Sequence, residues 1–259
     1  MAIKQYVYGS GEIYFAPFKP GTQIAGALRY LGNTPEFTLT SETEKLDHFD
    51  SDHGLKIKDD SVDIETNRSG TIVTDNIDYD NLSMLFLGTT SSITNASATA
   101  SIDNIASVEF GTYQLGVTPA LPTGVRKVSN VVVTDGTAGP TVTYVAGVDY
   151  VVDGDRGMIR FLEGGSLEIG DPVKITYDNA ASTRKQVMAS NKTVEGKVWF
   201  KSFNAKGPLH DYLIPWTKFS PNGDFNLKGD EWQQLPFSVE VLKLGELAPV
   251  YIDGMAETA

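Results

Sequence analysis

Two runs decide the fold class: Phe37-Thr38-Leu39-Thr40-Ser41-Glu42-Thr43-Glu44, and Leu55-Lys56-Ile57-Lys58-Asp59-Asp60-Ser61-Val62-Asp63-Ile64-Glu65-Thr66. Successive side chains of an extended strand point to opposite faces. In the first run Phe37 and Leu39 therefore share one face, and Thr38, Thr40, Glu42 and Glu44 share the other. In the second run Leu55 and Ile57 are odd-numbered while Val62 and Ile64 are even, so the inward parity reverses across Lys58-Asp59-Asp60-Ser61 and a bulge or strand break belongs there. Between the runs, Asp47-His48-Phe49-Asp50-Ser51-Asp52-His53-Gly54 is polar and ends in glycine, which reads as a flexible loop. The whole is a long hairpin, with Glu42, Glu44, Asp63 and Glu65 expected together on its polar side, because a one-residue slip would bury the entire carboxylate set.

The same period of two runs through most of the chain, broken by Gly, Pro, Asn and Asp, so the expected class is all-β. Upstream, Glu12-Ile13-Tyr14-Phe15-Ala16-Pro17-Phe18 is a strand stopped by Lys19-Pro20-Gly21, with Pro17 placing that end at a sheet edge. Downstream, one helix of about two turns is predicted: Asp78 or Asp80 caps it, Leu82, Leu85 and Phe86 fall on one face, and Gly88 supplies the left-handed C-terminal residue. Residues 89–101, rich in Thr, Ser and Ala, have neither period and read as an exposed linker. From 116 to 178 the texture changes to β-branched strands with dense glycine, at 131–134, 141–145, 150–152, 158–161 and 173–177. This reads as an inserted β module, dividing the chain into a core of 1–115 plus 179–259 and a module of 116–178. The first texture then returns with strands at 194–203, 219–227 around Pro221-Asn222-Gly223, and 235–241.

The chain has 259 residues, no cysteine and a formal net charge of −12. Absent cysteines exclude a disulfide scaffold, a thiolate metal site and a Cys nucleophile. The acidic balance argues against tightly held duplex nucleic acid, whose affinity comes mainly from Lys and Arg. Residues 1–8 lack a signal-peptide core and no run reaches the roughly 20 apolar residues of a membrane helix, so a soluble protein is expected. Asp47, His48, Asp50, Asp52 and His53 are cation-ligand types, but their spacing fits neither an EF-hand nor paired helical histidines, and a solvated loop is the reading. Asp153-Gly154-Asp155-Arg156-Gly157 reads as a tight turn. With three histidines, His48, His53 and His210, and no G-x-S-x-G elbow or phosphate-cradling glycine loop, no enzyme and no cofactor or metal is expected. A carboxylate pair for glycoside hydrolysis is a matter of geometry that sequence leaves open. Tyr14, Trp199, Phe203, Trp216 and Trp232 fit core or interface anchors, with a carbohydrate groove as the alternative.

Charge is unevenly spread. Residues 36–65 hold ten acids against Lys45, Lys56 and Lys58, a net −7, while 181–206 hold Arg184, Lys185, Lys192, Lys197, Lys201 and Lys206 against Glu195 alone, a net +5. Complementary blocks on one chain suit head-to-tail self-association.

Taken with Asn33-Thr34-Pro35-Glu36-Phe37-Thr38-Leu39 leading into the acidic hairpin, Asp80-Asn81-Leu82-Ser83-Met84-Leu85-Phe86-Leu87-Gly88, and the closing strands from Gly196, the chain resembles the major tail tube proteins of long-tailed, non-contractile bacteriophages. Segment 141–177, with Tyr144-Val145-Ala146-Gly147-Val148-Asp149-Tyr150 and Gly157-Met158-Ile159, resembles a small β module that decorates phage tail proteins. The resemblance implies a β-sandwich or barrel with one flanking helix and an inserted, outward-facing Ig-like β domain. It implies hexameric rings stacked into a hollow tube in the virion, made in the bacterial cytoplasm. A tape-measure protein would fill the lumen, tail-tip and tail-terminator proteins would close the ends, and DNA would transit without tight binding. Glu42, Glu44, Asp63 and Glu65 would then line the lumen. Asp47, Phe49, Asp50 and Asp52 would form a ring-stacking loop facing basic residues such as Arg184, Lys185 or Lys192. The alternative function is a carbohydrate or host-surface binding module of a phage tail or capsid.

Overall fold

The computed structural model describes residues 6–52, 54–137 and 141–255. From the N-terminus the chain lays down β1 (Gly11–Pro17), β2 (Arg29–Tyr30), β3 (Glu36–Asp50) and β4 (Ile57–Thr74), then one helix, α1 (Tyr79–Leu85). It continues through β5 (Thr89–Asn95) into β6 (Ala98–Ile105), β7 (Gly111–Gln114), β8 (Val128–Asp135), β9 (Tyr150–Asp153), β10 (Met158–Phe161) and β11 (Val173–Asn179). It returns through β12 (Ser182–Met188), which pairs with β5, and ends with β13 (Val194–Ser202), β14 (His210–Pro221), β15 (Leu235–Val241) and β16 (Tyr251–Gly254). The fold is all-β.

Two compact units result, one of Met1–Ser91 with Gln186–Ala259 and one of Ser92–Lys185. The second unit is wider than the module read from texture at 116–178. It recruits β6 and β7, and the stretch expected to be a linker at 89–101 is instead the strand β5 and the start of β6. Thr and Ser alternate there with exposed small residues, so the strand period carries no hydropathy signal. Segment 141–145, read as a strand, contributes only a single bridge, Thr143 to Thr134.

The first unit is built on one sheet in the order β2-β1-β13-β14-β15-β4-β3, with β16 on the first half of β14. β14 serves both halves of this sheet: His210 to Leu213 pair with β16, and Thr217 to Pro221 pair with β15. Its ladder to β13 slips between Gly196 and Val198, opposite Pro215 and Trp216. A bulge there bends the strand. The two halves therefore face each other: Ile13, Phe15, Val198 and Ile214 from one share a buried cluster with Ile72, Leu235, Phe237 and Val239 from the other. Phe219 joins them, its ring 4.7 Å from Phe15 and 5.8 Å from Phe237.

α1 packs on β14 and β15. Its cap is Asp78, whose carboxylate accepts from Asn81 N–H. The buried face is Asn81, Met84 and Leu85; Phe86 stays exposed. Asn81 is tolerated inside because its amide donates to the carbonyls of Leu31 and Asn76, both at 2.9 Å. The helix ends differently from the sequence reading. Leu87, at φ 48°, takes the left-handed position, Leu87 N–H donates to Met84 and Gly88 N–H to Ser83. Glycine is needed one residue later for space, since a Cβ on Gly88 would stand 2.2 Å from the Met188 carbonyl oxygen.

The second unit consists of two three-stranded sheets, β7-β10-β9 and β6-β11-β8, over a core that includes Val133, Tyr150, Ile159, Phe161, Ile175 and Tyr177. Its loops are clasped by Asp149, which is fully buried and accepts from the N–H groups of Val145, Ser166 and Leu167. Among the described residues no helix is long and apolar enough to cross a membrane.

Candidate functional site

The feature of the first unit that its own packing leaves unexplained is the hairpin of β3 and β4. Among the described residues β3 is the last strand of the sheet, and one long side of it carries no partner strand. Near the base, Phe37 and Ile72 turn into the core; beyond them every described residue from 38 to 67 is exposed. From Ser41 to Asp50 the ribbon extends roughly 30 Å at about 3.3 Å per residue. An isolated two-stranded ribbon is marginal in water. This one also leaves Leu46, Phe49, Leu55, Ile57, Val62 and Ile64 exposed, with Leu46 at 64%.

Register assigns the faces. Glu42 lies opposite Asn67 and Glu44 opposite Glu65, so Glu42, Glu44 and Glu65 share a face. Asp63 does not join them. The ladder slips between Glu44 and Lys45, leaving Ile64 as an extra residue, and Asp63 comes opposite Lys45, whose ammonium it meets at 3.4 Å. Beyond that bulge the carboxylate face becomes apolar, with Leu46 opposite Val62. A second slip leaves out Asp59, inside the segment where parity reverses in sequence. Like charges directly opposite each other, such as Glu44 and Glu65, weaken a hairpin.

The expected loop at 47–54 is shorter than its composition suggests, because Asp47, His48, Phe49 and Asp50 remain in β3 and pair with β4. His53 lies outside the described residues. Asp47 meets Lys58 at 2.5 Å, and Asp50 accepts from Asp52 N–H at 2.9 Å, so two of the three loop carboxylates have local partners. His48 Nδ1 lies 2.5 Å from Asp59, and that hydrogen bond is the main cause holding the Asp59 carboxyl below its ordinary value. Phe49 is 47% exposed opposite Lys58. Among the described residues no group of three His, Asp or Glu side chains is arranged to hold a metal ion.

The basic residues divide between the two units. Arg184 and Lys185 belong to the second unit and Lys192 to the first. Arg184 is half-buried and donates to Thr123 Oγ1 and the Gly124 carbonyl within its own unit. It is therefore a structural strut rather than a free partner for the hairpin carboxylates. Lys192 is exposed, its backbone N–H donating to Leu87.

The aromatic residues separate too. Tyr30, Tyr14, Trp199, Leu213 and Tyr251 are successive cross-strand neighbours on the outward face of the β2-β1-β13-β14-β16 half-sheet. Trp232 stands alone in the loop between β14 and β15, 93% exposed. Nothing in the local sequence distinguishes the row, because it exists only once five strands are in register.

A family model described as "Protein of unknown function UCP028589" matches residues 6–244. The chain belongs to that family. The match runs from just before β1 to just after β15 and takes in both units. No curated protein matches the chain.

Proposed function

We propose that this protein is a structural subunit that assembles with copies of itself, and specifically that it forms stacked rings making the wall of a phage tail tube. The observation that carries the reading is the β3–β4 ribbon: a 15-residue edge strand with an unpaired side, apolar residues on a surface its own chain leaves bare, and facing glutamates. A long, exposed apolar edge is an aggregation hazard in a monomer and is made safe by closing the sheet with a neighbour. Docking the ribbons of successive subunits edge to edge removes the open side, and contact of the ribbon's outer half with the next ring covers Leu46 and Val62, which lie beyond the bulge on the glutamate face. Glu42, Glu44 and Glu65 then repeat around the ring as an acidic wall. Carboxylates repel phosphate over about 8 Å at physiological salt, so DNA can pass without a sticking point. Ring number, lumen-filling protein, end proteins and a place in the virion follow from the resemblance.

Negative-stain imaging and sedimentation across a concentration series test this. Tubes of stacked rings are the expected result, lost in the Leu46→Ser/Val62→Ser variant. A wild-type protein that stays monomeric at every concentration overturns the reading.

The row Tyr30, Tyr14, Trp199 and Tyr251, exposed at Tyr30 and Tyr251 and half-buried at Tyr14 and Trp199, favours a second reading, a platform on which sugar rings stack. Glycan-array binding lost in Tyr14→Ala would support it, and absence of any glycan signal would remove it.

A further inference from the structure

The loop between β14 and β15 presents the sequence Asp230-Glu231-Trp232, and the loop is held rather than loose. Phe225 packs against the core and lies edge-on to Phe86, with ring centroids 6.2 Å apart. Asn226 accepts from Lys228 N–H and, through its carbonyl, from the Gln233 amide, and Asn222 N–H donates to Pro236. This scaffold leaves Trp232 93% and Leu227 76% exposed. The carboxylates of Asp230 and Glu231 form no ion pair among the described residues.

At the other end of β15 the same unit carries an open cleft of about 270 Å³ lined mainly by Leu213, Pro215, Leu244, Leu247 and Tyr251. Lys197 also lines it and has no ion pair among the described residues. The seven residues of β15 set plug and cleft roughly 20 Å apart at about 3.3 Å per residue, with the loop anchored at both ends. One copy therefore cannot fill its own cleft.

We propose that Trp232 of one copy inserts into this cleft on a second copy, with Asp230 and Glu231 meeting Lys197 at its rim. The match is of shape and charge: an indole preceded by two acids, and an apolar socket whose lysine forms no ion pair among the described residues. Tryptophan is among the residues enriched at interface hot spots in desolvated pockets, and the charges set the register. Because plug and socket are different surfaces at opposite ends of one strand, the contact is head-to-tail and propagates from copy to copy. It rests on the self-association proposed above but requires neither a tube nor DNA, and it uses a surface separate from the β3–β4 ribbon.

The cysteine-free chain makes the test direct. Under mild oxidation the full-length Glu231→Cys/Gln23→Cys double variant should give a ladder of cross-linked oligomers, while a mixture of the two single variants should stop at a dimer. Adding Trp232→Ala should raise the concentration needed for half-maximal cross-linking roughly 30-fold or more, as loss of an interface hot spot does. Trp232→Phe should restore part of it. Intramolecular disulfides without a ladder, or a ladder indifferent to Trp232→Ala, overturn the proposal. Imaging the same samples separates it from the tube reading: tubes without cross-links overturn only the plug, a ladder without tubes upholds the plug and overturns the tube, and neither overturns both.

Discussion

Replacing Asp149 with Ala should unfold the second unit far more than it disturbs the first. The carboxylate is 0% exposed, with Oδ2 accepting from Val145 N–H at 2.7 Å and Oδ1 from Ser166 N–H at 2.6 Å, Ser166 Oγ at 3.3 Å and Leu167 N–H at 3.3 Å. It thus ties the turn before β9 to the loop after β10. Hydrogen bonds to a charged group contribute about 1.5–3 kcal/mol each, and N–H groups left buried without an acceptor cost about 1–3 kcal/mol each. Allowing for non-additivity and partial rehydration of the loop, the loss comes to roughly 3–5 kcal/mol. For a unit of about 90 residues that is a fall in Tm of roughly 12 °C or more. The assay exploits composition: Trp199, Trp216 and Trp232 all lie in the first unit, so tryptophan fluorescence follows that unit while amide hydrogen exchange at residues 145–149 and 162–167 follows the second. The same N–H donors, Val145 foremost, hold the Asp149 carboxyl below its ordinary value. A depressed carboxyl adds stability above its unfolded pKa near 3.9, and that contribution disappears as pH falls through the folded value. Wild-type protection should therefore fade in acid, whereas the variant, already without the clasp, should show no such step. Unchanged exchange in those loops, or an equal shift in the tryptophan transition, would refute this account.

Burial, followed by the charge of Asp103, pushes the Tyr177 hydroxyl up to about 12. A raised folded value means stability present at neutral pH and lost as pH climbs from about 10 toward 12, so circular dichroism of Tyr177→Phe should lack that alkaline step. Gly88→Ala forces a Cβ to within 2.2 Å of the Met188 carbonyl oxygen, and overpacking of this kind costs about 1–3 kcal/mol, visible as a lower Tm of the tryptophan transition. Glu65→Lys replaces a like-charged cross-strand pair with an attractive one opposite Glu44, so hydrogen exchange in the ribbon should slow by a factor consistent with about 0.2–1 kcal/mol.

Sequence alone determined the class of fold, most of the strands, an aspartate cap at 78 or 80, which the structure resolves to Asp78, and the parity reversal that becomes the bulge at Asp59. These are local properties: a half-buried strand writes its period into hydropathy, and caps and turns depend on a few adjacent residues. β5 and the start of β6 escaped because small polar residues give no contrast between faces. The helix face shifted by a residue because the amide of Asn81 found two carbonyl acceptors inside, which only the tertiary fold supplies. Asp63 left the company of Glu42, Glu44 and Glu65 because a bulge at Ile64 is decided by the ladder between two strands, not by either strand's own pattern. The Tyr30, Tyr14, Trp199, Leu213, Tyr251 row and the cleft opposite the Trp232 loop lie still further from sequence. Each is assembled from residues far apart in the chain, from Tyr14 to Tyr251 in the row and from Phe18 to Tyr251 in the cleft, and only strand register and the bend of β14 at Pro215 bring them together.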